Sequence, residues 1–281
     1  YYRTSRLRGM ELESTFGTRK PIIGMVHLPP LPGSPEASTG IGAVCDRAVA
    51  DATALEAGGI DGLVIENFGD VPYYPESVPP HTVAAMTRAA TEVRNATSVP
   101  IGVNVLRNDA EAALSIAAAV DAGFVRVNVH TGARVTDQGV LEGNAHETLR
   151  LRDRLGADIG IFADIAVKHS TPLSAERSLS GAFSDAVERG LADAVIVSGP
   201  ATGESVDVDS LAAALEARDE HGLDVPILVG SGVDAESVGS LLGRADGAIV
   251  GTALKRDGET RAPVSEKRVR ELVGRGRDHS P

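Results

Sequence analysis

The chain has 281 residues, 42% of them hydrophobic but only 3% aromatic and none tryptophan, with a formal net charge of −12. That apolar fraction excludes a disordered body and calls for a core of Val, Ile, Leu and Ala. The acid excess excludes nucleic acid as a partner and disfavours anionic membrane surfaces, because both repel a surface of their own sign.

In chain order, the opening stretch YYRTSRLRG is basic and lacks an apolar run, so it does not read as a signal peptide. Residues 1–19 are expected to be a flexible tail, residues 20–275 one domain, and residues 276–281 a second tail. A short Val/Ile run followed by an Ala-rich amphipathic stretch then recurs along the chain. Strands are expected at 22–27, 62–67, 101–106, 124–130, 158–165, 194–199, 227–231 and 248–252. Helices are expected at 43–57, 82–96, 109–122, 143–155, 174–189, 207–221, 235–242 and 265–273, several opening on Asn108, Asp109, Ser174 or Asp234 as caps. Eight strand–helix units predict an α/β chain closed into a single (β/α)₈ barrel, with an open doubly wound sheet as the alternative.

Cys45 is the single cysteine and falls in a helical stretch, so it is expected as a small buried residue, with no intrachain disulfide. No apolar run approaches the roughly 18 residues of a membrane span, so the expected setting is the cytoplasm, with a homo-oligomer left open. The only lysines are Lys20, Lys168, Lys255 and Lys267. Few lysines beside many carboxylates fit a salt-rich, halophilic interior, which predicts stability that depends on salt.

Parallel strands buried on both faces should be continuously apolar, so polar residues inside them need a reason. In FVRVNVH, Val125, Val127 and Val129 alternate with Arg126, Asn128 and His130. Helices cover a barrel from outside, so the valines are expected to face out and the polar set inward. Asn104 repeats the pattern on strand three, while Asp164 and Lys168 bracket the end of strand five. Glu66 and Asn67 end strand two, and His27 ends strand one. All lie at strand C-termini, where barrel enzymes place their chemistry. The plainer alternative is a set of satisfied core groups, such as an Arg126–Glu66 or Lys168–Asp164 pair.

Gly230, Ser231 and Gly232 end strand seven, and Gly251 and Thr252 end strand eight. Loops at these two strands commonly cradle phosphate through backbone N–H groups, although each could also be a tight turn. Ser198 and Gly199 after strand six, with Thr202 and Gly203 beyond, add a candidate wall. Asp234 would repel an anion if it pointed into that cradle.

The strings KPIIGMVHLPPLPGSP, DGLVIENFGDVPY, IGVNVLRND and FVRVNVHTGA resemble the BtpA family, which includes SgcQ-type proteins of sugar gene clusters. The likeness runs from about Lys20 to Lys255. The resemblance implies a TIM barrel of the phosphate-binding group. The family takes its name from photosystem I biogenesis, where it is regarded as a factor for assembly or stability, and members outside photosynthetic organisms imply an older metabolic role. No established catalytic residues come with the resemblance.

Two functions are therefore expected to compete. One is an enzyme acting on a small phosphorylated molecule such as a sugar phosphate. Proton transfer, as in an isomerase or epimerase, ranks ahead of a transferase or lyase. In it Asp164 or Glu66 is the base, and Lys168, His27 or His130 the acid or electrophile. Asn67, Asn104, Arg126 and Asn128 would hold the ligand. No cofactor is required. A divalent metal on Glu66, Asp164, His27 and His130 is possible but lacks ligand spacing, and a Lys168 Schiff base is a further option. The other function is a non-catalytic assembly factor or regulator. The Pro-rich loops at 29–35 and 71–75 follow strand C-termini on the pocket side and are expected to be lids over it; for the second function they would be a partner surface instead. His81, His146 and His221 read as surface or capping residues, and His169 as a candidate for the pocket.

Overall fold

The computed structural model describes residues 9–166, 170–173, 178–199 and 208–278. The elements begin with α1 (Leu12–Phe16), β1 (Ile22–His27), α2 (Ile41–Ala57), β2 (Gly62–Glu66), α3 (Pro80–Ala96), β3 (Ile101–Asn104), α4 (Ala110–Ala119) and β4 (Phe124–Val127). A hairpin follows, β5 (Ala133–Thr136) and β6 (Gly139–Glu142), then α5 (Ala145–Leu155), β7 (Gly160–Ala166) and the short β8 (Thr171–Pro172). The chain ends with α6 (Leu179–Ser184), β9 (Ala194–Ser198), α7 (Val208–Glu220), β10 (Ile227–Gly230), α8 (Val238–Leu242), β11 (Gly247–Val250) and α9 (Glu266–Arg277).

Eight of these strands close into a parallel barrel in the order β1-β11-β10-β9-β7-β4-β3-β2. The expected TIM barrel is the fold. Strand alternation sorts the apolar residues into two layers. Val26, Leu63, Val103, Val125, Ile161, Val195, Val229 and Val250 pack outward against the helices. Met25, Val64, Phe124, Phe162, Ile196, Leu228 and Ile249 fill the barrel interior. Phe124 stacks on Phe162 at 4.6 Å, and the interior has room for these rings because β3 passes Phe124 at Gly102, where a Cβ would sit 2.4 Å from the ring.

The segment read as part of a flexible tail behaves otherwise. Leu12 and Phe16 of α1 are buried in the interior cluster, and the Phe16 ring meets Phe124 edge-on at 5.6 Å. This helix plugs the N-terminal mouth of the barrel. Its amphipathic signal spans only five residues, too few for periodicity to stand out.

Several strands stop short of their expected ends. The N–H of Leu106 donates to Asn67 Oδ1 at 2.7 Å, and that of Val129 to Asn108 Oδ1 at 2.8 Å. Side-chain carbonyls thus take the backbone donors that would have continued the ladder. The helix expected over 174–189 is α6 followed by a π-helical stretch, Asp185–Arg189, while residues 174–177 lie outside the described set. The hairpin β5–β6 was not expected. It joins β8 in an antiparallel sheet of order β6-β5-β8 beside the barrel mouth. Among the described residues no helix is long and apolar enough to cross a membrane.

Candidate functional site

A polar layer sits directly above the apolar interior. The registers pair His27 with Glu66 and Glu66 with Asn104, each two residues beyond an interior apolar or glycine position. Asp164, two residues beyond Phe162 on β7, and Ser198, two beyond Ile196 on β9, complete the layer with Arg126 on β4. Arg126 and Asn128 do face inward, as the alternation FVRVNVH predicts.

The layer is organised around Asp164. Arg126 donates from Nε to Asp164 Oδ2 at 2.9 Å and from Nη2 to Oδ1 at 3.0 Å, a bidentate pair. Asn128 Nδ2 donates to Oδ2 at 3.1 Å and Ser198 Oγ to Oδ1 at 3.1 Å. Asn104 Nδ2 supports the group from behind, donating to Asn128 Oδ1 at 3.1 Å and to the Arg126 carbonyl at 2.9 Å. Burial works against the Arg126 charge, but Asp164 outweighs it and holds the guanidinium above the ordinary arginine range. With both oxygens each accepting two donors, Asp164 is poorly placed to take a proton. Arg126 pairs with Asp164 rather than with Glu66, while Lys168, the other partner weighed for Asp164, lies outside the described residues, as do His169, Thr202 and Gly203.

Glu66 contrasts with Asp164. It is buried, and His27 Nε2 stands 3.8 Å from its Oε1. The His27 ring stacks on Phe68 with centroids 4.7 Å apart.

Two of the expected inward residues are placed elsewhere. His130 lies beyond the end of β4, where alternation no longer sets direction, and its Nε2 meets the Gly190 carbonyl at 2.7 Å. Burial lowers its pKa. Asn67 is spent on the loop after β2: its Oδ1 accepts the Leu106 N–H, and its Nδ2 donates to Asp70 Oδ2 at 3.3 Å. The same loop is pinned rather than poised as a lid. Asp70 Oδ1 accepts the Leu31 N–H at 2.7 Å, tying it to the Pro-rich loop after β1, and Arg107 N–H donates to the Tyr74 carbonyl at 3.0 Å.

Among the described residues no three His, Cys, Asp or Glu side chains gather as a metal would require. Of the four ligands weighed from sequence, Asp164 is committed to Arg126 and His130 to Gly190.

The glycine loops open a cavity of about 200 Å³. Ser231, Gly232 and Val233 line one wall, Gly251, Thr252 and Ala253 another, and His27 and Arg126 reach it from the polar layer. Strand β10 can turn here because Ser231 and Gly232 take φ of +58° and +70°. Gly230 lies below the cavity, where a Cβ would stand 2.8 Å from Ile196 and 3.1 Å from Ser198 Oγ, so it serves close packing rather than ligand contact. Gly199 also lines none of the described cavities. The Ser231 hydroxyl is buried with no hydrogen-bond partner among the described residues. Asp234 borders the cavity, but its Oδ1 accepts the N–H groups of Glu236 and Ser237 and the Ser237 hydroxyl. Burial opposes its charge, yet these donors, with Arg275 nearby, keep its pKa below the usual carboxylate value.

Sequence reasoning missed Arg268. It comes from α9, its Nε donates to the Ala253 carbonyl at 2.8 Å, and it lines the cavity. A surface arginine among many on the last helix carried no signal of its own. A second cavity of about 240 Å³ lies on the other side of the Arg126–Asp164 pair, bounded by Asn128, Asp164 and Leu179 and by Arg134 of the hairpin.

Similar proteins place this architecture. The chain is 46% identical over 264 residues to the photosystem I biogenesis protein BtpA of Synechocystis, covering 94% of this chain and 90% of that one. It is 51% identical over 255 residues to an uncharacterized protein of Thermococcus kodakarensis, covering 91% and 94%. Among solved structures, phosphoribosyl anthranilate isomerase from Thermus thermophilus superposes with a TM-score of 0.56 at 12% identity, covering 92% of this chain and all of that one, a likeness of fold. The BtpA family profile matches residues 18–277, and the chain belongs to the BtpA family.

Proposed function

We propose that the protein is a cytoplasmic enzyme that holds a small phosphorylated metabolite, a sugar phosphate or a close relative, and moves a proton on it as an isomerase or epimerase does. The observation that carries the reading is the cavity in which Ser231, Gly232, Thr252 and Arg268 stand together, with His27 and Arg126 at its inner end. Backbone N–H groups in a glycine turn and a guanidinium are the donors a phosphate dianion takes. A phosphate held there brings the adjoining carbons toward His27, whose neighbour is Glu66. Glu66 is the base in this reading, because among the described residues its oxygens are not saturated by donors as those of Asp164 are. His27 and Arg126 stabilise the oxyanion that develops as the proton leaves. The fold accommodates such chemistry, since one barrel of the same architecture is an isomerase of a phosphoribosyl compound.

The test is a thermal-shift screen with phosphate, sulfate and sugar phosphates, followed by deuterium wash-in from D₂O on each binder. Glu66→Gln is expected to keep binding and slow exchange by about a hundredfold or more. Unchanged exchange removes Glu66 as the base, and no stabilisation by any anion removes the ligand.

The name of the Synechocystis relative favours a second reading, a non-catalytic assembly factor that retains the pocket. Val71 and Tyr74 are exposed on the loop after β2 and would then belong to a partner surface. Loss of the cellular function in Tyr74→Ala, with Glu66→Gln silent, would select it.

A further inference from the structure

Lys255 has no exposed surface, a rare position for an ammonium group. Its Nζ donates to the Met25 carbonyl at 3.2 Å and to Asp51 Oδ2 at 3.3 Å. Asp51, buried on α2, accepts the Val264 N–H at 2.8 Å with its other oxygen, and Arg47 Nε stands 3.1 Å from Oδ2. Each partner leads to the anion cavity. Met25 lines it, the Lys255 N–H donates to the Thr252 carbonyl at 3.0 Å, and the bridge from Lys255 to Val264 precedes the helix that carries Arg268. Burying an ion pair stabilises a fold no better than apolar packing of the same volume does, so stability alone does not account for it.

We propose that Lys255, with Asp51 as its counter-ion, is a positioning residue that clamps the Thr252–Ala253 wall to β1 and so holds the anion cradle at binding distance. This rests on the phosphate reading above. Lys255 itself does not line the cavity, so it acts through the wall and not on the ligand.

The test is calorimetric titration of the full chain with inorganic phosphate, well below the unfolding transition, alongside Tm. Lys255→Met is expected to raise the phosphate Kd about tenfold or more, since a shift of the wall on the order of 1 Å is costly to a donor array. The double variant Asp51→Asn with Lys255→Met removes both charges, so it folds even if the single change strands a buried carboxylate, and it is expected to bind as weakly. A purely structural role lowers Tm and leaves Kd at the wild-type value in a folded variant, which overturns the proposal. Absence of phosphate binding by the wild type overturns the anion site itself, and this inference with it.

Discussion

Asp164→Asn separates a structural carboxylate from a catalytic one. In the structure Asp164 takes four hydrogen bonds, two of them from the buried guanidinium of Arg126. The isosteric amide keeps the volume but strips the charge and half of the acceptor capacity. Arg126 is left as a buried cation without its counter-ion, a situation that costs roughly 3–5 kcal/mol. For a chain of this size each kcal/mol moves Tm by about 2–4 °C, so the variant should melt on the order of 10 °C lower. Differential scanning calorimetry measures this directly, and chemical denaturation gives the free energy independently. The double variant Arg126→Met with Asp164→Leu should recover most of the loss, because both charges leave together. A poised, unpaired base behaves differently: neutralising it leaves Tm unchanged or raised. A Tm within about 2 °C of wild type in Asp164→Asn would therefore refute the assignment of Asp164 to the framework.

Two further outcomes follow from the same geometry. Phe16→Ala should cost about 3 kcal/mol by urea denaturation, since the ring is buried against Phe124 in the barrel mouth, whereas a tail residue would cost nothing. His130 should make the fold acid-sensitive. Its pKa is lowered in the folded state by burial, so below about 6.5 the unfolded chain binds a proton that the folded chain refuses. The unfolded state then holds more protons, and stability declines as pH drops through that region, by up to about 1.4 kcal/mol per pH unit. His130→Gln can keep a donor toward the Gly190 carbonyl and should flatten that part of the pH–stability curve. An unaltered slope would mean that His130 is not its source.

Much of the architecture was legible in one dimension. The alternation of valines with Arg126 and Asn128 told which side of β4 faces the interior, because side chains on a strand can only point two ways. The glycines of the last two barrel strands marked the loops that open the cavity, since left-handed turns and close approaches select glycine. Where a strand ends, alternation loses its meaning, and His130 and Asn67 were misplaced for that reason. Both lie past the last ladder hydrogen bond, where nearby carbonyls and amides claim their side chains. The hairpin β5–β6 is not legible because, unlike the equally short barrel strands, it buries only Leu141 and so carries no continuous apolar run.

By itself, then, the order of residues determined that eight βα units would close into a barrel with hydrophilic groups gathered at one end. It did so because hydrophobic periodicity is a local property, fixed by the geometry of each backbone segment. Which carboxylate is neutralised was settled only by the tertiary structure, as were the arginine from the final helix that reaches the cavity and the buried lysine that braces its wall. Those contacts join residues 15 to 230 positions apart, and closing the barrel is the step that brings them within hydrogen-bonding range.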